Sequence, residues 1–297
     1  MKSKIIYYLV YAGMWLLASL PFRALYILSD GIYFLLYYLV GYRRKVVRKN
    51  LTRSFPEKSK EEIITIEKQF YHYLCDYFVE EIKLLKISPE ELFKRMQYNN
   101  KSEFLQKIEE FGGIILLIPH YANFEWIIGM GMVMDPTHIP VQIYKPLRNV
   151  HLDRLFLKIR SRFGGYNVAK HSTGRELLKL KRDNKKMVIG LITDQSPGPS
   201  DSRYWTTFLN QDTAFMSGAE RISKMLKYPV FYCELKRLKR GYCEVTFDLL
   251  TTTPQETQEG EITELFARRM EMTIQREPAY WFWSHKRWKH KRDESKE

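Results

Sequence analysis

Cysteine is scarce. Cys75, Cys233 and Cys243 are the only three in 297 residues, and their spacing builds neither a disulfide framework nor a zinc site. That scarcity fits a reducing compartment. No G-x-S-x-G elbow is present to supply a hydrolase with its serine nucleophile, and no H-E-x-x-H helix to hold zinc. Internal repeats and low-complexity stretches are also missing. Negative charge is in deficit: 34 Asp and Glu stand against 48 Lys and Arg, a formal net charge of +14. Such a surplus favours anionic partners, whether nucleic acid, an acidic protein or anionic lipid. Apolar residues, at 45%, supply a full core and exclude global disorder. The length suits one sizeable α/β domain with an attachment, or two small domains.

The N-terminus narrows the choice of anion. Ile5 to Phe22 carries no charge and contains Trp15 and several tyrosines. As a helix it measures about 27 Å, barely enough for a bilayer core. A second apolar run, Gly31 to Tyr42, follows Arg23 and Asp30 and is too short to cross. Arg43-Arg44-Lys45 and Arg48-Lys49 come next, the pattern of a cytoplasmic flank. No small-residue cleavage site marks a signal peptide. The expectation is a membrane-anchoring segment over residues 1–45 and a catalytic domain over 46–297; a buried helical hairpin is the alternative.

Beyond the basic cluster, Lys58 to Ile87 reads as one or two amphipathic helices opened by Ser59 and Glu61-Glu62. The pattern then alternates. Ile114–Ile118, Val141–Tyr144, Met187–Thr193, Val230–Leu235 and Glu244–Leu250 read as strands. Phe124–Met134, Leu152–Phe163, Thr173–Lys181, Phe215–Leu226 and Glu261–Arg276 read as helices. The expected fold is therefore α/β, a sheet flanked by helices.

Chemistry concentrates where strands end. Pro119 stops the run Ile114–Ile118 and hands His120 to a loop, with Glu125 five residues on. A neutral imidazole takes a proton near pH 7, and a carboxylate can orient it and stabilise its charged form. Five is the wrong spacing for one face of a regular helix, so the pair needs a strand-loop-helix junction. An ordinary loop histidine beside a helix-start glutamate is the plain alternative. Lys145 and Arg148 follow the second strand, where ligands of α/β sheets collect, and suit a phosphate; they are otherwise solvated loop charges. Asp194 and Gln195 hold the same place after the third strand, as substrate contacts or helix caps. The tail Tyr280–Lys289 mixes aromatics with cations, which fits nucleic-acid stacking or, better with this N-terminus, a membrane surface.

The ordered series resembles the bacterial lipid A biosynthesis acyltransferases of the lauroyl/myristoyl type. It comprises His120-x4-Glu125, Tyr144-Lys145-Pro146-Leu147-Arg148-Asn149, Leu152-Asp153-Arg154, Arg160-Ser161-Arg162-Phe163-Gly164, Thr193-Asp194-Gln195, Phe208, Gly218-Ala219-Glu220-Arg221 and the tail Tyr280–Trp288. Val46–Leu51 and Ser54-Phe55-Pro56 extend it over nearly the whole chain. The sequence departs from the family where Lys145 stands in place of arginine and where Phe208-Leu209-Asn210 replaces a glycine-rich stretch.

The resemblance implies a glycerolipid-acyltransferase-like α/β fold with an N-terminal membrane anchor at the bacterial inner membrane, its catalytic domain on the cytoplasmic side. It implies an acyl thioester donor, on acyl carrier protein or CoA, and a lipid A precursor hydroxyl as acceptor; a lysophospholipid, aminolipid or other glycolipid is the alternative acceptor. His120 would be the general base and Glu125 its support. Lys145, Arg148 and Arg160 would bind substrate, with Asp194 and Gln195 orienting the site or touching the acceptor. No metal, cofactor or nucleic acid is expected.

Overall fold

The computed structural model describes residues 2–147, 149–198, 201 and 203–292, with side chains from Tyr7 onward. In chain order the elements are α1 (Lys2–Ser19), α2 (Phe22–Phe34), α3 (Arg44–Ser54), α4 (Lys60–Lys83), α5 (Pro89–Arg95), β1 (Met96–Tyr98), α6 (Lys101–Phe111) and β2 (Gly113–Ile118). Then come β3 (Ile139–Tyr144), α7 (Val150–Arg160), β4 (Tyr166–Ala169), α8 (Thr173–Arg182), β5 (Met187–Ile192), β6 (Arg203–Phe208) and β7 (Gln211–Met216). The remainder is α9 (Gly218–Leu226), β8 (Val230–Lys239), β9 (Tyr242–Thr251) and α10 (Glu261–Arg276).

Seven strands form one sheet in the order β1-β9-β8-β2-β5-β3-β4, parallel throughout except for the β8–β9 pair. β2 lies at the centre, and all six of its residues are buried. A strand covered on both faces needs side chains that tolerate burial on both, which is why it reads as an unbroken apolar run rather than an alternation. Gly113 opens it because a Cβ there would sit 2.6 Å from the Tyr228 ring. β6 and β7 pair separately as an antiparallel hairpin. α4 begins with a reciprocal cap: Ser59 Oγ accepts from the Glu62 N–H, and Glu62 accepts from the Ser59 N–H.

All five strands and most helices expected from the sequence are present, with two differences of kind. Phe124–Met132 is a 3-10 helix. Gly131 approaches so closely that a Cβ would lie 2.2 Å from the Phe163 carbonyl oxygen. The expected helix over Phe215–Leu226 starts only at Gly218, because Phe215 and Met216 finish β7.

The N-terminal helices also differ from expectation. Among the described residues the candidate membrane span is Phe22–Val40, a 19-residue helix of mean hydropathy 1.2 formed by α2 and a π-helical turn over Leu35–Val40. The sequence pointed to Ile5–Phe22, part of which lies outside the described side chains. Asp30 made the second run look too short, yet its carboxylate is paired with Arg240 at 2.6 Å. One face of the span lies along α4, where Ser29 donates to Asp76 at 2.7 Å and Tyr37 to Glu67 at 3.0 Å. Ile27, Leu28, Phe34, Leu35, Leu39 and Val40 stay exposed. That is an apolar surface a bilayer could cover.

Candidate active site

β2 and β5 are parallel neighbours in which Ile118 faces Ile192. His120 lies two residues beyond Ile118, and Asp194 two beyond Ile192. Equal offsets on adjacent parallel strands, about 4.8 Å apart, put the two side by side although 74 residues separate them. The His120 Nδ1 and Asp194 Oδ1 are 2.5 Å apart, and the His120 main-chain N–H donates to Oδ2 at 3.0 Å. Trp281 adds a third bond, Nε1–H to Oδ2 at 2.9 Å.

Burial alone would raise the pKa of Asp194, which is 1% exposed. The adjoining His120, its hydrogen bond and the Trp281 donor outweigh that and hold the carboxyl down at about 2. Burial lowers His120, but Asp194 and, less strongly, Glu125 more than reverse it, so the imidazole titrates above its ordinary value. Gln195 Nε2 lies 3.1 Å from His120 Nε2. With Nδ1 against a carboxylate and Nε2 facing an amide donor, the neutral ring carries its proton on Nδ1 and keeps the Nε2 lone pair available.

The loop carrying His120 is held from two directions. Ala122 sits at φ +47°, a region costly for a residue with a Cβ. Its N–H donates to the Tyr280 carbonyl at 2.9 Å, and its own carbonyl accepts from Tyr73 of α4 at 2.7 Å. Asn123 donates to the buried Glu80 carboxylate at 2.6 Å. Tyr121 bridges Trp281 through the main chain and bonds the Glu277 carbonyl at 2.8 Å. The strain is thus fixed by partners on α4 and on the segment after α10.

The carboxylate touching His120 is therefore Asp194, where the sequence pointed to Glu125. The 3-10 helix turns Glu125 toward Arg160 instead, with Oε1 and Nη2 3.7 Å apart. Both line a narrow crevice of about 80 Å³ whose other walls are largely apolar, among them Ile118, Ile128, Val141, Ile143 and Ile192. Glu125 still reaches His120 through its field. Gln195 and Asp194 join the histidine directly, Arg160 joins Glu125, and Lys145 stands exposed just past β3. Arg148 lies outside the described residues.

Sequence reasoning missed Trp281 and placed the aromatic tail at a membrane surface. Trp281 and Trp283 are 3% and 0% exposed, so this part of the tail is interior. A buried indole N–H needs an acceptor, and Asp194 is the one Trp281 finds. The alternation Trp281, Phe282, Trp283 was the available signal, since period-two spacing marks an extended segment with one face inward. His285 accepts from the Ser196 N–H at 3.2 Å; burial, reinforced by the Arg287 charge, presses its pKa down to about 4.

Among the described residues one set has the composition of a cation site, namely Asp30, His72 and Asp76. It lies on α2 and α4, away from His120. Arg240 already pairs with Asp30 and with Asp76, both at 2.6 Å, and Arg237 takes Asp76 at 2.8 Å. The set reads as an ion-pair network.

A histidine gripped by a buried carboxylate at the carboxyl edge of a parallel sheet, beside an apolar slot, has the geometry of an enzyme site at the place where ligands of α/β sheets collect. The family model of the bacterial lipid A biosynthesis acyltransferases matches residues 1–290, and the chain belongs to that family. It is accordingly an acyltransferase of lipid A biosynthesis carrying one candidate membrane helix near its N-terminus. Among curated proteins no match to the chain was found.

Proposed function

We propose that the protein moves a fatty acyl chain from an acyl thioester, on acyl carrier protein or CoA, to a hydroxyl of a lipid A precursor, with His120 as general base. The observation that carries this reading is the His120 ring fixed between Asp194 and Gln195. Asp194 holds the Nδ1–H tautomer, so Nε2 is the atom that accepts the hydroxyl proton. Gln195 swings off Nε2 as the acceptor hydroxyl takes its place. The alkoxide oxygen then bonds to the thioester carbonyl carbon, and the tetrahedral intermediate collapses with cleavage of the C–S bond. The proton on His120 goes to the departing thiolate, and the ester remains. Asp194 and Glu125 together stabilise the transient imidazolium.

The crevice beside Glu125 suits the entry of an acyl chain, because its walls are mostly aliphatic and its two charges stand as a pair; at about 80 Å³ it must widen to take more than a few methylenes. Arg160, Lys145 and Arg148 are the cations we assign to phosphate groups of donor or acceptor. The exposed apolar residues of α1 and of Phe22–Val40 rest in the bacterial inner membrane, with the catalytic domain on the cytoplasmic side where carrier thioesters are made. The basic surface then serves an acidic carrier and anionic lipid together, so association weakens as salt rises.

The test uses purified protein in detergent with labelled acyl thioester and, in parallel, lipid A precursor, lysophospholipid or water. Transfer to the lipid A precursor that is lost in His120→Ala is the expected result. Transfer that persists in His120→Ala removes the general base. Faster transfer to lysophospholipid changes the acceptor and keeps the mechanism. Release of free acid as fast as transfer replaces acyl transfer with hydrolysis.

A further inference from the structure

A second cavity, rimmed by cations, lies at the turn between α1 and α2. It measures about 450 Å³, and no residue lines both it and the crevice at Glu125. Four cations, Arg23, Lys83, Lys86 and Arg95, line it with one carboxylate, Glu91, which is already bonded to Arg95 Nε at 2.6 Å. Lys83 gives two donors to the Ala18 and Leu20 carbonyls at 2.8 and 2.6 Å and keeps a third. Lys86 gives one to Ser19 Oγ at 2.8 Å and keeps two. Arg23 is exposed and has no partner among the described residues. Burial depresses the Lys83 pKa, and the neighbouring Lys86 and Arg95 charges add to the effect, opposed only in part by Glu91, as expected where cations outnumber carboxylates.

Two further observations point to the kind of anion. The N-terminus of α2 starts at this cavity with Pro21 as a cap that contributes no side-chain hydrogen bond, and the first turn has no acidic residue. Its free N–H groups favour a negative charge from outside the helix. Phe22 is also the first residue of the candidate membrane span, which places the cavity at one end of an apolar helix of roughly bilayer length. An end of such a helix meets the headgroups when the helix lies within the membrane surface, the placement that its packing along α4 and the Asp30–Arg240 pair favour. Trp15 stacks under Lys86, with Nζ 3.6 Å from the ring centroid, and is itself 45% exposed, a pairing suited to that depth. Leu16 and Leu20 are exposed on the same stretch, ready for acyl tails.

We infer that this cavity binds the phosphate group of an anionic membrane lipid at a site separate from the acyl-transfer centre, fixing the α1–α2 turn at the lipid surface. The test is native mass spectrometry of the full chain released from detergent with phosphatidylglycerol or phosphatidylcholine added. The wild type should retain phosphatidylglycerol and shed phosphatidylcholine. Arg23→Gln/Lys86→Gln should lower phosphatidylglycerol retention roughly tenfold or more. Lys83 and Arg95 are left alone because they also tie down main-chain carbonyls. The charge-conserving Arg23→Lys/Lys86→Arg should restore retention, which separates loss of charge from loss of fold. Inorganic phosphate at matched ionic strength identifies the source: displacement by it means that the cavity reads a phosphate group of any origin, whereas lipid that stays bound means that the whole headgroup and its tails are read. Equal phosphatidylglycerol retention by wild type and the Gln variant overturns the proposal, as does equal retention of both lipids by the wild type.

Discussion

Among the described residues His120 and His138 make the two shortest histidine–carboxylate contacts, and they face opposite ways. His120, just past the end of β2, meets Asp194 at 2.5 Å; His138, just before β3, meets Glu109 at 2.6 Å. In the first pair the carboxylate is sealed at 1% exposure while the imidazole keeps 17%. In the second the imidazole is at 3% and the carboxylate at 53%. His138 also leaves Nδ1 buried without a partner, and its carboxylate is shared with Lys186. Proximity of a histidine to a carboxylate is thus common to both. What differs is which partner can be reached: a base needs its second nitrogen at the surface and its counter-charge inside. The carboxyl edge of a parallel sheet, where strand-end loops converge, provides that arrangement for His120.

The comparison can be broken most directly at the two histidines. His120→Ala should lower acyl transfer by about 10²–10⁴-fold with an unchanged melting temperature, whereas His138→Ala should leave kcat within about twofold and lower the melting temperature instead. Parallel kinetics and thermal unfolding check both; the opposite pattern would give His138 the reactive role and His120 the structural one.

Asp194→Asn should cost about 10²-fold or more in kcat and move the pH profile. Transfer needs neutral His120, so the rate rises with pH through the histidine pKa. Asp194 holds that pKa above 6.5, and its removal shifts the acidic limb toward lower pH. Glu125→Gln should reduce kcat by about 10²-fold through loss of charge near the imidazolium, and shift the same limb in the same direction but less. Trp281→Phe is the mildest of the set. It removes one charge-assisted donor from Asp194 and should lower kcat roughly tenfold while leaving KM for the thioester unchanged.

The middle of the sheet was legible because β2 and β5 are apolar runs that end in polar residues. The short edge strands β1 (Met96–Tyr98) and β4 (Tyr166–Ala169), which mix in Gln97 and Asn167, went unread. His120 and Asp194 could each be picked out as strand-end residues, but their contact depends on β2 and β5 being neighbours in register, and one strand's composition says nothing of its neighbour. The family pattern led instead to Glu125, which the 3-10 helix turns aside toward Arg160. The β6–β7 hairpin was hidden because its turn residues, Leu209 and Asn210, both take positive φ without the glycine that usually announces such a turn. Asp30 concealed the continuity of the apolar helix, since its partner Arg240 is 210 residues away. Local composition told where polar groups would gather. It did not tell which of them would meet.

The bridge between Tyr121 and Trp281 also has a consequence in time. During synthesis the apolar N-terminal helices emerge first and can reach the membrane while most of the sheet is still unmade. Tyr121 and the Glu277 carbonyl it bonds are 156 residues apart, an interval of roughly eight to thirty seconds at ordinary translation speeds. Until the segment after α10 arrives, Ala122 lacks the carbonyl that secures its strained backbone, and Asp194 lacks its indole donor. The apolar helices are therefore complete well before the His120 loop and the Asp194 carboxylate have the partners that fix them.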